Sequence, residues 1–281
     1  MARALIVGGD GLIGGMLVRR LAARGWDVVA TTRRAPGPGS IALDLGSATA
    51  AEAPLPRVDV AIFAAAMAGF AECRAAPDLA RRVNVESPVA LAGRLAGQGT
   101  RSVLISTNAV FDGSRPHQPA DAPTRPASVY GSLKAEAERG FLALGEKGAV
   151  VRLTKVLDPA HALLTRWRDA LVRNEPIGAF TDLHLAPIAL EDVEAAIVAA
   201  LGGGRIVQVS GRDDVSYHDA ATCLARALGK PATLVAAQSA AAAGIPESDR
   251  PRYTSLDASE LAARTGWSPP SAYDVVTSVF A

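Results

Sequence analysis

The sequence predicts an α/β protein with a doubly wound, mostly parallel sheet and a smaller C-terminal α+β portion. In the first half of the chain, short apolar runs alternate with stretches whose apolar residues recur at helical spacing, and this alternation weakens beyond Arg152. Strands that alternate with helices form parallel sheets that are covered on both faces. We therefore expect one domain over residues 1–151 and a smaller portion over residues 152–281 that interleaves with the first.

The individual elements follow from runs that are bounded by glycine and polar residues. Strands are expected at residues 4–7, 28–31, 41–43, 58–64, 103–106 and 150–153, and helices at residues 12–21, 78–95 and 128–144. In the smaller portion, helices are expected at residues 163–172, 191–201 and 220–228, and a strand at residues 206–209. The alanine-rich residues 235–245 fit either a helix or a mobile connection.

Composition argues against several classes of function. The formal net charge is +1, from 29 Lys and Arg against 28 Asp and Glu, so we expect no nucleic-acid partner and no attraction to an anionic membrane. The two cysteines, Cys73 and Cys223, and the four scattered histidines lack the spacing of a disulfide framework or a metal site. No apolar segment has the length of about 18 residues that a spanning helix needs. We expect a soluble, cytoplasmic protein without a metal.

Three glycines connect the first strand to the first helix. Gly8, Gly11 and Gly14 form the pattern G-x-x-G-x-x-G. Glycine at these positions permits a tight turn and a close approach of the backbone to a pyrophosphate, which the helix N-terminus attracts. The pattern predicts a Rossmann-type dinucleotide site in which Leu12 and Ile13 also contact the cofactor. Because the chain has 26 glycines, the alternative is a purely structural turn.

The end of the second strand indicates which dinucleotide is bound. An acidic residue there holds the ribose 2′-hydroxyl of NAD(H), whereas arginine accommodates the 2′-phosphate of NADP(H). The chain has Arg33 and Arg34 after two threonines and no carboxylate, so NADP(H) is preferred over NAD(H), the alternative being a solvated turn. After the third strand, Asp44 and Leu45 are candidates for adenine contacts, although Asp44 fits a turn equally well.

A tyrosine and a lysine form the candidate catalytic pair. Tyr130 and Lys134 are four residues apart in a predicted helix, so both side chains project from one face. A nearby ammonium favours a phenolate, and we expect Lys134 to lower the pKa of Tyr130. Ser106 and Thr107 end a strand, where ligands bind in open α/β sheets. Since adjacent strand residues point to opposite faces, we assign Thr107 to the substrate oxygen and Ser106 to a cofactor or structural role.

Several motifs together resemble one family. They are Gly8-x-x-Gly11-x-x-Gly14, Ala64-Ala65-Ala66, Val83-Asn84-Val85, the run from Ser106 to Gly113, Val129-Tyr130-Gly131-Ser132-Leu133-Lys134, and the late Leu256-Asp257 with Gly266-Trp267. The chain resembles the extended short-chain dehydrogenases, and specifically their dTDP-4-dehydrorhamnose reductase-like, sugar-nucleotide-binding branch. The resemblance covers nearly the whole chain. The stretch Val110-Phe111-Asp112-Gly113 is its most branch-specific part.

The resemblance implies roles for particular residues. Thr107, Tyr130 and Lys134 would be catalytic, with Lys134 also holding the cofactor ribose. The residues Ala64, Ala65 and Ala66 would line the nicotinamide side, and Asn84 would support the active-site network and contribute to cofactor binding. Further substrate candidates are Met67, Asn108, Lys155 and Arg252.

The chain also departs from the family pattern. Asn108-Ala109 stands where the reductases have Asp-Tyr, and Lys155 stands where an aromatic residue is usual. The Asp-Glu pair of sugar-nucleotide dehydratases is missing, which argues against dehydration. We expect reduction of a keto group on a nucleotide-linked sugar. The alternatives are a sugar-nucleotide epimerase and a non-catalytic NADP-binding regulatory subunit. A homodimer is expected from the resemblance and from the frequency of symmetric dimers.

Overall fold

The protein is described by a computed structural model that covers residues 1–159 and 161–280. The chain forms two compact units. The first consists of Met1–Val110, Thr124–Arg152 and Ala196–Val207, and the second of Phe111–Pro123, Leu153–Ala195 and Gln208–Ala281.

Short strands make up the sheets of both units. In chain order the strands are β1 (Arg3–Val7), β2 (Asp27–Thr32), β3 (Ser40–Ala42), β4 (Val60–Phe63), β5 (Arg101–Thr107), β6 (Gly148–Leu153), β7 (Lys155–Leu157), β8 (Ile177–Phe180), β9 (His184–Leu185), β10 (Pro187–Ala189), β11 (Ile206–Val209), β12 (Val215–Ser216) and β13 (Val235–Gln238).

The α-helices alternate with the first strands and dominate the second half. They are α1 (Leu12–Ala23), α2 (Phe70–Ala75), α3 (Pro77–Arg81), α4 (Ser87–Gly97), α5 (Val129–Leu142), α6 (Ala162–Val172), α7 (Leu190–Leu201), α8 (Tyr217–Ala227), α9 (Ser259–Thr265) and α10 (Ala272–Phe280). A π-helical turn, Arg82–Glu86, connects α3 to α4, so the helix predicted at residues 78–95 is continuous but not regular.

A seven-stranded sheet in the order β11-β6-β5-β4-β1-β2-β3 confirms the predicted Rossmann-type α/β fold. The β1–β2, β2–β3, β1–β4 and β4–β5 pairs are parallel. Strand β1 is central because its residues from Ala4 to Val7 are apolar and fully buried, as a strand covered on both faces requires. Helix α1 packs on β1 and β2, α4 packs on β4 and β5, and α5 packs on β5.

Aromatic and aliphatic side chains fill the core beside the sheet. Phe63 of β4 and Phe141 of α5 meet edge to face, with ring centroids 5.1 Å apart. Leu5, Leu91 and Leu104 are buried in the same cluster. The sheet and its helices therefore hold the carboxyl ends of β1, β4 and β5 in fixed positions.

The second unit has its own core and three two-stranded sheets. These pair β10 with β7, β12 with β9, and β13 with β8. Trp167, Leu171, Leu224 and Val276 from three helices are buried together in its core. The helices expected at residues 163–172, 191–201 and 220–228 are present, with ends that differ by up to three residues.

The expectation for residues 235–245 was wrong at its start. Val235–Gln238 is a strand that pairs in parallel with Ile177–Phe180. Ala236, Ala237 and Gln238 are residue types that are common in helices. Pairing with a distant strand, and not local preference, therefore decides their conformation. The backbone N–H of Thr181 donates to the carbonyl of Gln238 at 2.9 Å and extends the pairing.

Both residues of the late motif Gly266-Trp267 have structural roles within the second unit. Gly266 ends α9 in the left-handed region at φ 71°, where glycine is favoured. The Trp267 indole N–H donates to Asp192 Oδ1 at 2.8 Å. Among the described residues, none of the helices is long and apolar enough to cross a membrane.

Candidate active site

The glycine turn has the geometry that the sequence predicts. Gly8 has a φ of +95°, which disfavours any side chain, and its N–H donates to Thr31 Oγ1 at 2.9 Å. A Cβ on Gly14 would overlap the carbonyl oxygen of Gly8. The first turn of α1 can therefore approach the end of β1 only because Gly14 lacks a side chain.

A cleft of about 540 Å³ opens beside this turn in the first unit. Of the residues that the sequence predicts to bind cofactor or substrate, it is lined by Gly8, Gly11, Arg33, Asp44, Leu45, Ala64, Ala65, Ala66 and Met67. Lining residues that the sequence analysis missed are Val7, Asp10, Thr31, Thr32, Leu43, Gly46, Glu72, Leu79 and Val83. Most of these directly adjoin a predicted residue, so the strand ends could have pointed to them.

Some predicted cofactor residues do not line the cleft. Leu12 is 44% exposed and Ile13 is half-buried at the start of α1. Arg34 lines a separate depression, together with Arg19. This depression adjoins the cleft, because Asp10, Thr31 and Thr32 line both of them.

A carboxylate lies near the end of β2, although none follows this strand in the sequence. Asp10, from the glycine turn, accepts a hydrogen bond from Thr32 Oγ1 at 2.7 Å and one from the Arg33 backbone N–H at 3.3 Å. The Thr32 hydroxyl is the largest cause that lowers the pKa of Asp10, and the charges of Arg34 and Arg33 add to it. Sequence reasoning considered only the residues that follow β2 and so missed a side chain from a different loop.

Asp44 both lines the cleft and stabilises a turn. Its Oδ1 accepts a hydrogen bond from the Gly46 N–H at 2.9 Å, and its carbonyl accepts one from the Ser47 N–H at 3.0 Å. The neighbouring Leu45 is 6% exposed and contributes to the core. The two readings of Asp44 in the sequence are therefore compatible.

Asn84 is not among the residues that line the cleft, but it holds the loop after β4 that does line it. The side chain lies on the π-helical turn and is 1% exposed. Its Oδ1 accepts from the Met67 N–H, and its Nδ2 donates to the Met67 carbonyl, both at 3.0 Å. Backbone N–H groups of Ala64 and Ala65 donate to the Val7 carbonyl at 2.9 Å each. The loop after β4 is thus fixed at its start, through Ala64 and Ala65, and at Met67.

Helix α5 begins at the residue before Tyr130 because two features define its first turn. Ser128 is the N-cap, and its hydroxyl accepts from the Gly131 N–H at 3.0 Å. A Cβ on Gly131 would overlap the carbonyl oxygen of Ala109. Glycine therefore allows the start of α5 to lie against the turn that follows Thr107.

The structure brings Thr107 and Tyr130 together and buries Lys134 nearby. The Thr107 side chain lies close enough to the Tyr130 phenol to lower its pKa. The Phe70 ring lies 5.7 Å from that of Tyr130. Lys134 is 1% exposed and donates from Nζ to the Ile105 carbonyl of β5 at 2.7 Å. Met67 lines the cleft, and Met67 and Tyr130 both pack against one apolar cluster that contains Cys73 and Leu133. Thr107, Tyr130 and Lys134 themselves are not among the residues that line the cleft.

The electrostatics of this pair differ from the expectation. Burial raises the pKa of Tyr130, Cys73 adds to the rise, and the hydrogen bond with Thr107 opposes it. The expected lowering of the Tyr130 pKa was therefore wrong: desolvation of the phenol is the largest cause, and Lys134 is not among the groups that shift it. Burial also lowers the pKa of Lys134 to about 8, against the opposing charge of Glu138.

Behind the pair lies a buried ionic network that the sequence analysis missed. The Ser106 hydroxyl donates to Glu138 Oε1 at 2.6 Å. Arg152 donates from Nε to Glu138 Oε1 at 3.0 Å and from a terminal nitrogen to Oε2 at 2.8 Å. Ser106 is 4% exposed and lies outside the cleft lining, which accords with the structural alternative for this residue.

The remaining substrate candidates lie in different places. Asn108 follows β5 in the first unit, where its Oδ1 is 3.5 Å from Thr107 Oγ1. Lys155 begins β7 in the second unit, and burial lowers its pKa. Arg252 lies in the same second unit with its guanidinium 5.2 Å from the centre of the Tyr253 ring.

Fold and site together define a class. A parallel sheet with a glycine turn at the end of β1, a cleft over β1, β2 and β4, and a tyrosine and lysine on the helix beside β5 are the features of a Rossmann-type, short-chain-dehydrogenase-like protein. The chain belongs to the RmlD substrate binding domain family, whose model matches residues 2–281.

Individual relatives are more distant. The chain is 33% identical over 156 residues to dTDP-4-dehydrorhamnose reductase of Mycobacterium tuberculosis, an alignment that covers 53% of this chain and 49% of the relative. It is 31% identical over 155 residues to Methionine adenosyltransferase 2 subunit beta of Xenopus tropicalis, covering 54% of this chain and 46% of the relative. These alignments span about half the length of either relative.

A solved structure matches the whole fold. The dTDP-4-dehydrorhamnose reductase from Bacillus anthracis, in complex with NADP, superposes with a TM-score of 0.84 at 21% identity, covering 100% of this chain and 98% of that one. At this identity the likeness establishes the fold.

Proposed function

We propose that the protein uses NADP(H) to reduce a keto group on a nucleotide-linked sugar. The observation that carries the proposal is the position of Thr107 at the carboxyl end of β5, with Tyr130 and Lys134 on the adjoining helix α5. Tyr130 packs against the same apolar cluster as the cleft residue Met67. Reactions in open α/β sheets take place at this end of the strands. Membership of the RmlD substrate binding domain family supports the substrate class.

The cleft fits a nicotinamide dinucleotide. Its glycine turn has no room for a Cβ at Gly14, and Leu45 and Leu79 offer an apolar surface for a base. The backbone after Gly8 and the start of α1 would hold the pyrophosphate, and the alanine loop would lie along the nicotinamide. When bound, the reduced dinucleotide supplies hydride to the keto carbon.

The chain's own residues would handle the proton. Because burial raises the pKa of Tyr130, its phenol is protonated at neutral pH and can donate a proton to the carbonyl oxygen as hydride arrives. The O–H bond of Tyr130 breaks, an O–H bond forms on the product, and a phenolate remains. Lys134, held by the Ile105 carbonyl, stabilises that phenolate while protonated, and Thr107 orients the oxygen.

The preference for NADP(H) rests on Arg33, whose guanidinium group suits a 2′-phosphate at the mouth of the cleft. Asp10 opposes this preference because it places a carboxylate beside the same arginine. Isothermal titration with NADPH and NADH tests it. Tighter binding of NADPH supports the preference, equal binding refutes the preference alone, and binding of neither refutes the oxidoreductase.

Turnover tests the chemistry. With a nucleotide-linked keto sugar, Tyr130→Phe should lower kcat by about 100-fold or more, since general acid catalysis typically contributes that much. Tyr273→Phe, which alters a tyrosine that is 49% exposed on α10, is the matched control and should retain activity. Full turnover by Tyr130→Phe would remove Tyr130 as the proton donor.

A regulatory subunit is the second candidate, favoured by the similarity to Methionine adenosyltransferase 2 subunit beta. Asn108-Ala109 in place of the family's Asp-Tyr also supports it. A stable complex with a partner enzyme, formed by a protein that binds NADPH and turns over no keto sugar, would favour this candidate. Size-exclusion chromatography with light scattering tests the proposed homodimer in the same preparation.

A further inference from the structure

Glu138 and Arg152 form a buried ion pair near the candidate catalytic residues. The side chains of Glu138 and Arg152 are 2% and 3% exposed. Both carboxylate oxygens of Glu138 accept from Arg152, and Oε1 also accepts from Ser106. Such pairs contribute little net stability compared with apolar side chains of similar size. A purely structural role therefore does not explain why the core has a charge here.

Position in the helix connects this pair to Lys134. Glu138 follows Lys134 by one helical turn, so the two side chains lie on the same face of α5. Lys134 is itself 1% exposed, and its hydrogen bond to the Ile105 carbonyl satisfies a donor without supplying a negative charge. In a medium of low dielectric, an ammonium without a nearby anion would lose its proton.

We propose that Glu138 is a positioning residue for the reaction: its carboxylate, fixed by Arg152 and Ser106, supplies the negative charge that keeps buried Lys134 protonated. Protonation matters because only the ammonium form can stabilise the phenolate that Tyr130 becomes. Glu138 touches neither the substrate nor the cofactor in this scheme and acts through Lys134.

The charges around the site are consistent with this role. Lys134 and Arg152 are positive and Glu138 is negative, so the buried group has a net charge of one positive unit while Tyr130 is neutral. Transfer of the phenol proton brings the group to neutrality, which favours the product of the proton transfer. Glu138 raises the pKa of Lys134 against the effect of burial.

Other titratable groups on the elements around α5 have partners of their own. Arg81 of α3 pairs with Glu136 at 2.6 Å on the outer side of α5, and Arg82 donates to the Gly46 carbonyl at 3.2 Å. Cys73 of α2 lies beside Tyr130, and burial raises the pKa of its thiol. Glu138 is the group that acts on Lys134 from its own helix.

The experiment observes Lys134 directly and needs no substrate. The chain has four lysines, so protein labelled with ¹³C at the lysine ε-carbon gives few signals, and Lys134→Arg assigns the one of interest. In the wild type we expect this signal to titrate near the lowered pKa of Lys134, about 8. Glu138→Gln should lower its midpoint by about one pH unit or more, the range for loss of an opposite charge. Glu136→Gln, on the exposed side of the same helix, should leave it unchanged.

Glu138→Gln removes a carboxylate from beside buried Arg152 and risks unfolding. The double variant Glu138→Gln with Arg152→Gln removes both charges, retains hydrogen-bonding amides, and should show a lowering in the same direction. The lowering should be smaller than in Glu138→Gln because the positive charge of Arg152 is also removed. Glu138→Asp keeps the charge and should retain most of the wild-type midpoint. An unchanged midpoint in Glu138→Gln, or in the double variant if the single variant does not fold, would overturn the proposal.

The kinetic consequence rests on the proposed reductase activity. With a turned-over keto sugar, the alkaline limb of kcat should move to lower pH in the double variant, with KM little changed. If no sugar is reduced, the proposed function fails, while the titration of Lys134 still decides the role of Glu138. The two failures are therefore distinguishable.

Discussion

The burial of Lys134 predicts an unusual dependence of stability on pH. Burial lowers its pKa from 10.5 to about 8, which corresponds to a cost of about 3 kcal/mol for holding the ammonium in the folded state. Below pH 8 both the folded and the unfolded states bind this proton, so the cost is present in full. As the pH rises from about 8 to 10.5, the folded state loses the proton first, and the unfolding free energy therefore rises.

Lys134→Met isolates this contribution, since the variant has no proton to lose at that position. Urea denaturation of both proteins at several values between pH 7 and 10.5 measures the difference in unfolding free energy. That difference should change by about 3 kcal/mol in favour of the wild type as the pH rises through this window. Tyr130 works in the opposite direction above pH 10, but it is present in both proteins.

An exposed lysine provides the control. Lys147 lies in a 3-10 turn on the surface, so Lys147→Met is the matched control for replacing a lysine by methionine. A flat difference between the wild type and Lys134→Met across the window would refute the argument, because it would mean that the folded protein holds Lys134 as a free lysine.

Two further predictions concern the cleft and the first turn of α5. Gly131→Ala should destabilise the protein by about 1–3 kcal/mol in thermal or urea unfolding, because the new methyl group overlaps the Ala109 carbonyl. Gly93 lies in an open position of α4, and Gly93→Ala should stabilise the protein by about 0.5–1 kcal/mol. A loss of stability in both variants would show that helix position, not the overlap, decides. In isothermal titration, Asp10→Asn should improve the binding of NADPH relative to NADH several-fold, because it removes a negative charge beside Arg33. An equal improvement for both dinucleotides would show that this charge does not act on the 2′-phosphate.

Much of the sheet could be predicted because its signals are local. Residues 4–7 and 206–209 were predicted as strands, and β1 and β11 occupy these positions. The glycine pattern predicted a turn that the Gly8 dihedral and the Gly14 contact confirm, since these constraints act within a few residues of chain. The strand at Val235–Gln238 was missed because its conformation depends on pairing with β8, more than fifty residues earlier in the chain.

The same distinction applies to the candidate site. The i, i+4 spacing of Tyr130 and Lys134 is a helical signal and is visible in the sequence. Asp10 and the pair of Glu138 with Arg152 depend on contacts between elements that no spacing reveals. The direction of the pKa shift at Tyr130 also needed the structure, because burial outweighs the effect expected from a neighbouring charge.

The link between Asn84 and Met67 makes the loop after β4 sensitive to the register of a helix. Asn84 reaches both backbone groups of Met67 from the π-helical turn Arg82–Glu86. Deleting one residue there would convert the π-turn to a regular α-turn, which changes the direction of the side chains within the turn while the flanking helices keep their facing. The asparagine would then point away from the loop although the composition of the helix had hardly changed. Insertions and deletions in this short turn are thus expected to be tolerated far less than substitutions on its exposed face.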